Sequence, residues 1–357
     1  MKNFKNKIEK KNIEIKGLIN LKKNIVLFGY NQITEFFIKN ELITTCVIDK
    51  KYIKEIKKKI QIKKIKLITI DEIIPESIII NCITGINAGL IHKRFKTLGH
   101  HVFSWIQLKH ALKLNKLHYW YLGNFHQFFF KNILKYQKTY EALADFRSKR
   151  EYIKILSYKV TGNEKNLNFN KQNIQNQYFP EFVRFHENSQ IIDVGAYDGD
   201  TVRNFLKMGK KYKNIIAFEP NIFNFNKLKK DLNSNKKIIV NNCALGSENK
   251  LVNFHSSKDT SRIDKKGSDK IAVKTLDSLN LSPTFIKIDI EGGEKDFILG
   301  AYKTIAKHKP NLAICVYHKP EDFFEIVDKI LYINKSYKLY FRHHSLGFTE
   351  SVMYFMQ

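Results

Sequence analysis

The chain is poor in cysteine and in acidic side chains, and each shortage narrows the reading. Its four cysteines, Cys46, Cys82, Cys243 and Cys315, are far apart and show no metal-binding or redox spacing. Each sits in or beside an apolar run, as buried thiols in a reducing cytoplasm do. No apolar run approaches the roughly 18 residues of a membrane span. The first ten residues are densely charged and lack the apolar core of a secretory signal. A cytoplasmic location is expected. Acids number 34 against 62 lysines and arginines, for a net charge of +28. Such a balance attracts nucleic acid or an anionic membrane surface. The lysines are scattered among isoleucine and asparagine, however, so a solvated face explains them and nucleic acid is not an expected partner. Peripheral contact with the inner face of a membrane, or with an acidic glycan, needs only the summed field.

A chain of 357 residues accommodates two compact domains. Within residues 1–108, apolar runs at 24–28, 45–48, 67–70 and 77–82 alternate with helical patterns. This predicts a smaller Rossmann-like α/β domain with a parallel sheet. Asp49 falls where a ribose-binding acid would, but Gly29-Tyr-Asn-Gln-Ile33 has one glycine where a dinucleotide fingerprint has three. Tyr30 and Gln32 would crowd a pyrophosphate, so a structural or substrate-presenting role is expected. Residues 109–176 read as a helical, aromatic-rich connector, with no proline between 110 and 157. Its aromatics (Tyr119, Trp120, Tyr121, Phe125, Phe128, Phe129, Phe130) suit packing between two domains, or a carbohydrate-stacking surface. The polar stretch 161–177 reads as exposed.

Residues 177–357 are a dense series of strands. Apolar runs at 191–194, 215–218, 238–240, 285–289, 312–317, 338–341 and 351–355 are mostly separated by helical patterns. Runs at 251–254 and 271–276 read as an added hairpin arm and a short strand. No crossover helix fits between the last two runs, which predicts an antiparallel final strand.

The most informative segment is 191–201, Ile-Ile-Asp-Val-Gly-Ala-Tyr-Asp-Gly-Asp-Thr. An apolar strand ends in an acid, and Gly195 and Gly199 lead into a helix. Farther on, a second strand ends at Glu219. In open α/β sheets such glycines let the backbone approach an adenosine cofactor, and the acid at the next strand tip takes the ribose hydroxyls. A leading acid and a missing third glycine suit S-adenosylmethionine better than a dinucleotide. Asp193, Gly195, Ala196, Tyr197, Asp198 and Gly199 are the expected loop contacts, with the amides of 195–199 receiving the methionine carboxylate. Glu219, Pro220 and Asn221 are expected at the ribose, Cys243 and Ala244 (with Leu245, closing the third strand) at the adenine, and Asp289 at the fourth tip.

Phe285-Ile-Lys-Ile-Asp-Ile-Glu-Gly-Gly-Glu294 resembles the fourth-strand signature of the FkbM family of methyltransferases. Gln177-Tyr-Phe-Pro-Glu-Phe182, the 193–201 loop, Ala217-Phe-Glu-Pro-Asn221 and Leu312-Ala-Ile-Cys-Val-Tyr-His-Lys-Pro-Glu321 also match its pattern. Arg342-His-His-Ser345 is similar to members that modify bacterial glycans. The resemblance spans about 136–357. It implies a class I methyltransferase fold, a Rossmann-like seven-stranded sheet with an antiparallel last strand. It also implies S-adenosylmethionine-dependent O-methylation of a sugar, nucleotide-sugar or glycan precursor. The competing readings are a nucleic-acid or other small-molecule methyltransferase, and a non-catalytic glycan-assembly scaffold. Base-methylating enzymes would place Pro-Pro-Tyr or Pro-Cys after the fourth strand, where this chain has Asp289-Ile-Glu-Gly.

An alcohol acceptor loses a proton as it attacks, so a base within reach helps. His318, directly after a buried strand and with an ordinary pKa of about 6.5, is the expected base. Asp289 and Glu291 are the next candidates. The alternative is that Asp289, Glu291 and His318 hold a divalent metal that acidifies the hydroxyl, which is not the favoured reading. Glu294 is expected to pair or cap at the start of the following helix, and His343 and His344 to be solvated.

Overall fold

Short β-branched and aromatic runs become strands here, and the polar segments between them become helices. The computed structural model describes residues 3–21, 24–49, 52–59, 65–85, 87–120, 122–167, 174–232, 234–255, 262–263 and 269–357. The chain divides into two compact units, each drawn from separate stretches. The N-terminal unit comprises 1–133, 150–172 and 343–349. The C-terminal unit comprises 134–149, 173–342 and 350–357.

In the N-terminal unit, β1 (Ile25–Phe28), β2 (Thr45–Val47), β3 (Lys66–Ile68), β4 (Ile78–Asn81) and β5 (His101–Ser104) form a parallel sheet in the order β3-β2-β1-β4-β5. β5 has too short an apolar run to stand out in the sequence. Strand order reverses between β1 and β4, where such sheets hold ligands. That place is filled. A Cβ on Gly29 (φ +91°) would lie 2.6 Å from the Ile83 side chain, and Asn31 Nδ2 donates to the Cys82 carbonyl at 2.7 Å. The one-glycine loop therefore closes on itself.

The helix Asn3–Asn20, concealed in the sequence by its charge, buries Phe4 and Ile15. Phe4 meets Phe129 at 5.7 Å between ring centroids, and Phe125 and Phe129 are also buried. These aromatics are core of the N-terminal unit. Trp120 is exposed against Phe348, and Tyr121 lies outside the described residues.

Two sequence expectations need correction. Residues 109–176 are not a separate connector but divide between the two units. A proline-free stretch with apolar helical faces must bury those faces, so each helix joins a core. Nor is 161–177 exposed throughout where it is described: Thr161, Glu164, Leu167 and Gln177 are buried, while Lys165, Gln175 and Asn176 are exposed. Polarity there serves an internal network, in which Glu164 meets His92 Nδ1 at 3.0 Å and accepts from Asn81 Nδ2 at 2.9 Å.

The C-terminal unit contains β6 (Gln190–Val194), β7 (Asn214–Phe218), β8 (Ile238–Asn241), β9 (Ala244–Leu245), β10 (Lys250–His255), β11 (Arg262–Ile263), β12 (Asp269–Lys274), β13 (Phe285–Ile288), β14 (Asn311–Cys315), β15 (Lys338–His343) and β16 (Ser351–Met356). Seven of them make one sheet, ordered β15-β16-β14-β13-β6-β7-β8. β8, β7, β6, β13 and β14 run parallel, and β16 pairs antiparallel with β14. This is the Rossmann-like class I arrangement expected, including the reversed last strand. The β10 arm leaves the main sheet and forms a small one, β11-β10-β12-β9. Under the large sheet Phe179, Phe185, Phe205 and Phe285 pack edge to face or tilted at 4.9–5.8 Å. Each such pair contributes about 0.5–1.5 kcal/mol beyond its buried area. Among the described residues no helix is long and apolar enough to cross a membrane.

Candidate functional site

Strand order in the large sheet reverses between β6 and β13, so their C-terminal tips border the crevice such sheets use for ligands. Gly195 follows β6 with φ +77°. A Cβ there would fall 1.9 Å from the Asp289 carbonyl, so the close approach of the two tips admits no side chain. The loop then folds back onto the end of β7. Gly195 and Ala196 amides donate to the Phe218 carbonyl at 3.0 and 3.1 Å, and the Gly199 amide donates to the Ala196 carbonyl at 2.8 Å. The Tyr197 amide donates to Glu219 Oε2 at 2.8 Å. Four of the five amides expected to receive a cofactor carboxylate are thus engaged within the protein, and that expectation is corrected.

The same fold-back arms Glu219. Its second oxygen accepts from the Asn221 amide at 2.8 Å. Burial pushes its pKa up to about 7, against the lowering effect of these two hydrogen bonds. Asn242 Nδ2 bonds the carbonyls of Glu219 and Pro220 at 2.9 and 3.0 Å, latching the β7 tip to the segment after β8. Cys243 follows directly, buried, its thiol pKa raised by that burial. Ala244 and Leu245 do not close β8; they form β9 and pair with β12. The Asp198 carboxylate is turned to Arg203 and Lys227 at 2.7 and 2.5 Å, a clamp between helices Asp200–Lys207 and Ile222–Leu232.

Asp193 has a partner the sequence reading did not single out. Lys287, inside β13, places Nζ 2.9 Å from Asp193 Oδ1 and donates to the Gly195 carbonyl at 2.6 Å. Both side chains are nearly sealed from water. Burial opposes the ammonium, but the Asp193 and Asp289 carboxylates outweigh it and hold Lys287 well above the usual lysine range. The Tyr178 ring lies over Nζ at 5.2 Å, and its hydroxyl donates to Asp289 Oδ2 at 2.7 Å. Only the apolar neighbours on both sides of Lys287, Ile286 and Ile288, hint at this in the sequence.

At the tips of β13 and β14 the expected catalytic residues do converge. His318 Nε2 is 3.4 Å from Asp289 Oδ1 and 3.7 Å from Glu291 Oε2, while Nδ1 is 2.9 Å from Glu294 Oε1. Burial would lower the imidazole's pKa, yet Glu294, Asp289 and Glu291 reverse this and push it up to about 10. At neutral pH His318 is an imidazolium with no lone pair to offer. Its assignment as general base is corrected. Glu291 stands differently: its backbone is left-handed (φ +54°) and its side chain is 44% exposed. Burial and the neighbouring Asp289 and Glu294 raise its pKa, with His318 opposing. Glu294 is wholly buried and accepts from the amides of Ile290 and Gly292 at 3.0 and 3.4 Å, the pairing and capping role expected of it. Asp322, unnoticed in the sequence, is buried nearby, with its pKa pushed up to about 7 by burial and by Glu294.

His343 and His344 are buried rather than solvated; His343 lies in the N-terminal unit with Nε2 3.0 Å from the Gly347 carbonyl. Arg342 pairs with Asp145 at 2.7 Å.

Residues 193–343 match the profile of the methyltransferase FkbM domain. The fold is similar to the crystal structure of methyltransferase FkbM from Methylobacillus flagellatus KT, with TM-score 0.74 and 22% identity over 94% of this chain and 90% of that one. Partial likenesses include an rRNA methylase from Streptococcus thermophilus (TM-score 0.31, 13% identity, 47% of this chain and 86% of that). Another is Aeropyrum pernix fibrillarin with natively bound S-adenosyl-L-methionine (0.31, 9%, 48% and 67%). No curated protein sequence matches.

Proposed function

We propose, for a chain whose residues 193–343 match the FkbM methyltransferase domain, that it transfers a methyl group from S-adenosylmethionine to a hydroxyl of a sugar or cell-surface glycan precursor. The observation that carries the reading is Glu219. Two backbone amides orient its carboxylate at the strand tip beside the switch point. A carboxylate so placed takes both ribose hydroxyls in charge-assisted hydrogen bonds. The bare backbone at Gly195 and the Asp289 carboxylate across from it fit the same ligand. S-adenosylmethionine supplies a sulfonium methyl that is electrophilic without further activation.

The chain's own residues then have three tasks. Lys287 and Tyr178 fix Asp289 and the Gly195 carbonyl, holding the loop in place. The acceptor hydroxyl must be set in line, and positioning of this kind is worth roughly 7–11 kcal/mol. Glu291, the one carboxylate of its cluster with substantial exposure, takes the hydroxyl proton, and its raised pKa suits that role. The grouped carboxylates also suit an acceptor with several hydroxyls to donate. The sugar assignment draws on the resemblance of 342–345 to glycan-modifying members.

Calorimetric titration with S-adenosylmethionine tests the reading. Wild type is expected to bind, and Glu219→Ala to bind at least about tenfold more weakly, since each charge-assisted hydrogen bond is worth ~1.5–3 kcal/mol. Absence of binding by the wild type removes the proposal. Transfer of labelled methyl to fractionated capsular or lipid-linked sugars identifies the acceptor.

A further inference from the structure

The tips of β13 and β14 carry more carboxylate than the nearby cations neutralise. Asp289, Glu291, Glu294 and Asp322 surround one imidazole, His318. The ammonium groups close by are committed elsewhere. Lys287 bonds Asp193, its charge also reaching Asp289, while Lys295 goes to Glu321 and Glu325 at 3.2 and 2.8 Å, and Lys319 to the Gly292 carbonyl. One ligand atom each from Asp289, Glu294 and His318 lies within 4.8 Å of the other two.

Glu294 is wholly buried, yet its Oε2 has no hydrogen-bond partner, and neither does Asp322 Oδ1. Neither ring nitrogen of His318 meets hydrogen-bond geometry, despite the 2.9 Å approach to Glu294. An unsatisfied buried polar atom is destabilising, the more so when charged. Meanwhile the outer partners of a metal site are already in place. Tyr178 donates to Asp289 Oδ2, and the amides of Ile290 and Gly292 donate to Glu294 Oε1. Such partners orient ligands in metal centres.

We propose that Asp289, Glu294 and His318 bind a divalent cation, which displaces the imidazole proton to solvent as it binds, with Glu291 at the open side. Two carboxylates and one imidazole suit an oxygen-preferring ion of the Mn²⁺ or Mg²⁺ kind. The ligand set differs from the one expected from sequence: Glu294 takes the place of Glu291. Only the consequence rests on the methyl-transfer reading. There the ion holds the acceptor oxygen and acidifies its hydroxyl, the proton passes to Glu291, and the O–CH₃ bond forms as the S–CH₃ bond breaks.

The test is titration of the full-length protein with MnCl₂, following loss of the free-ion electron paramagnetic resonance signal. Wild type is expected to deplete the signal stoichiometrically. Glu294→Gln and His318→Gln are expected to weaken uptake roughly 10–100-fold, and Glu248→Gln, at an exposed site, to leave it unchanged. No depletion by the wild type overturns the proposal, as does full uptake by both variants. Should Glu294→Gln fail to fold by circular dichroism, Asp289→Asn gives the same reading. Uptake of Mn²⁺ without methyl transfer to any sugar upholds the ion site and removes the acceptor assignment. Transfer that proceeds without Mn²⁺ uptake does the reverse.

Discussion

Lys287→Met asks whether the sealed ion pair beneath the glycine loop holds the C-terminal unit together. Nζ lies 2.9 Å from Asp193 and 2.6 Å from the Gly195 carbonyl. At that separation, unit charges attract by about 6 kcal/mol at an effective dielectric constant of about 20. Removing both ions from water offsets much of this, so the pair as a whole is worth far less. Deleting one partner is another matter. Met leaves Asp193 buried without a counter-charge and the Gly195 carbonyl without its donor, and breaking such pairs costs about 3–5 kcal/mol. Adding Asp193→Asn removes the stranded charge. The double variant should therefore be destabilised by about 2–3 kcal/mol less than the sum of the singles. Urea unfolding followed by far-ultraviolet circular dichroism reads all four proteins, compared by midpoint at constant slope. Both tryptophans, Trp105 and Trp120, are in the N-terminal unit, so their fluorescence serves as an internal reference. A cost for Lys287→Met below about 1 kcal/mol, or additive singles, refutes the reasoning.

Three further outcomes are expected. Binding of S-adenosylmethionine strengthens as pH rises through about 7, because burial keeps Glu219 protonated below that point and ribose hydroxyls bond its ionised form; calorimetry across this range reads the slope, and Glu219→Gln flattens it. Glu291→Gln lowers kcat about 10²–10⁴-fold with KM little changed; labelled-methyl kinetics showing an unaltered kcat would move the base elsewhere. Gly195→Ala drives a Cβ to 1.9 Å from the Asp289 carbonyl, whereas at Gly209 (φ +61°) an added Cβ meets nothing within 4 Å. The first should cost more in thermal melts than the ~1–2 kcal/mol of left-handed strain both share; equal losses would mean the tips can part freely.

Much of the large sheet was legible because a parallel interior strand is apolar along its length, and runs such as Ile191–Ile192 announce themselves. The acids at the tips of β6, β7 and β13 stood out by interrupting those runs. What stayed hidden depended on partners distant in the chain. Lys287 reads as one more lysine in a lysine-rich protein until Asp193, 2.9 Å away, is seen beside it. The loop amides looked free for a ligand, because nothing local says that the Phe218 carbonyl and Glu219 will claim them. His318 looked like a base because an imidazole's charge state is set by neighbours, and Glu294 is 24 positions earlier. The stretch 161–167 looked solvated because nothing local says that Glu164 will turn inward, to His92 and Asn81.

The chain's traffic between its two units has a practical corollary. It passes from one to the other near 133, 149, 172, 342 and 349, so neither is encoded by a single uninterrupted stretch. A fragment cut after 133 would lack the helix beyond 150 and the 343–349 segment. One starting at 173 would lack 134–149 and carry 343–349 as an orphan. Expression of either half alone should therefore give insoluble or protease-sensitive material, and recombination that swaps whole contiguous halves between relatives would separate pieces that fold as one.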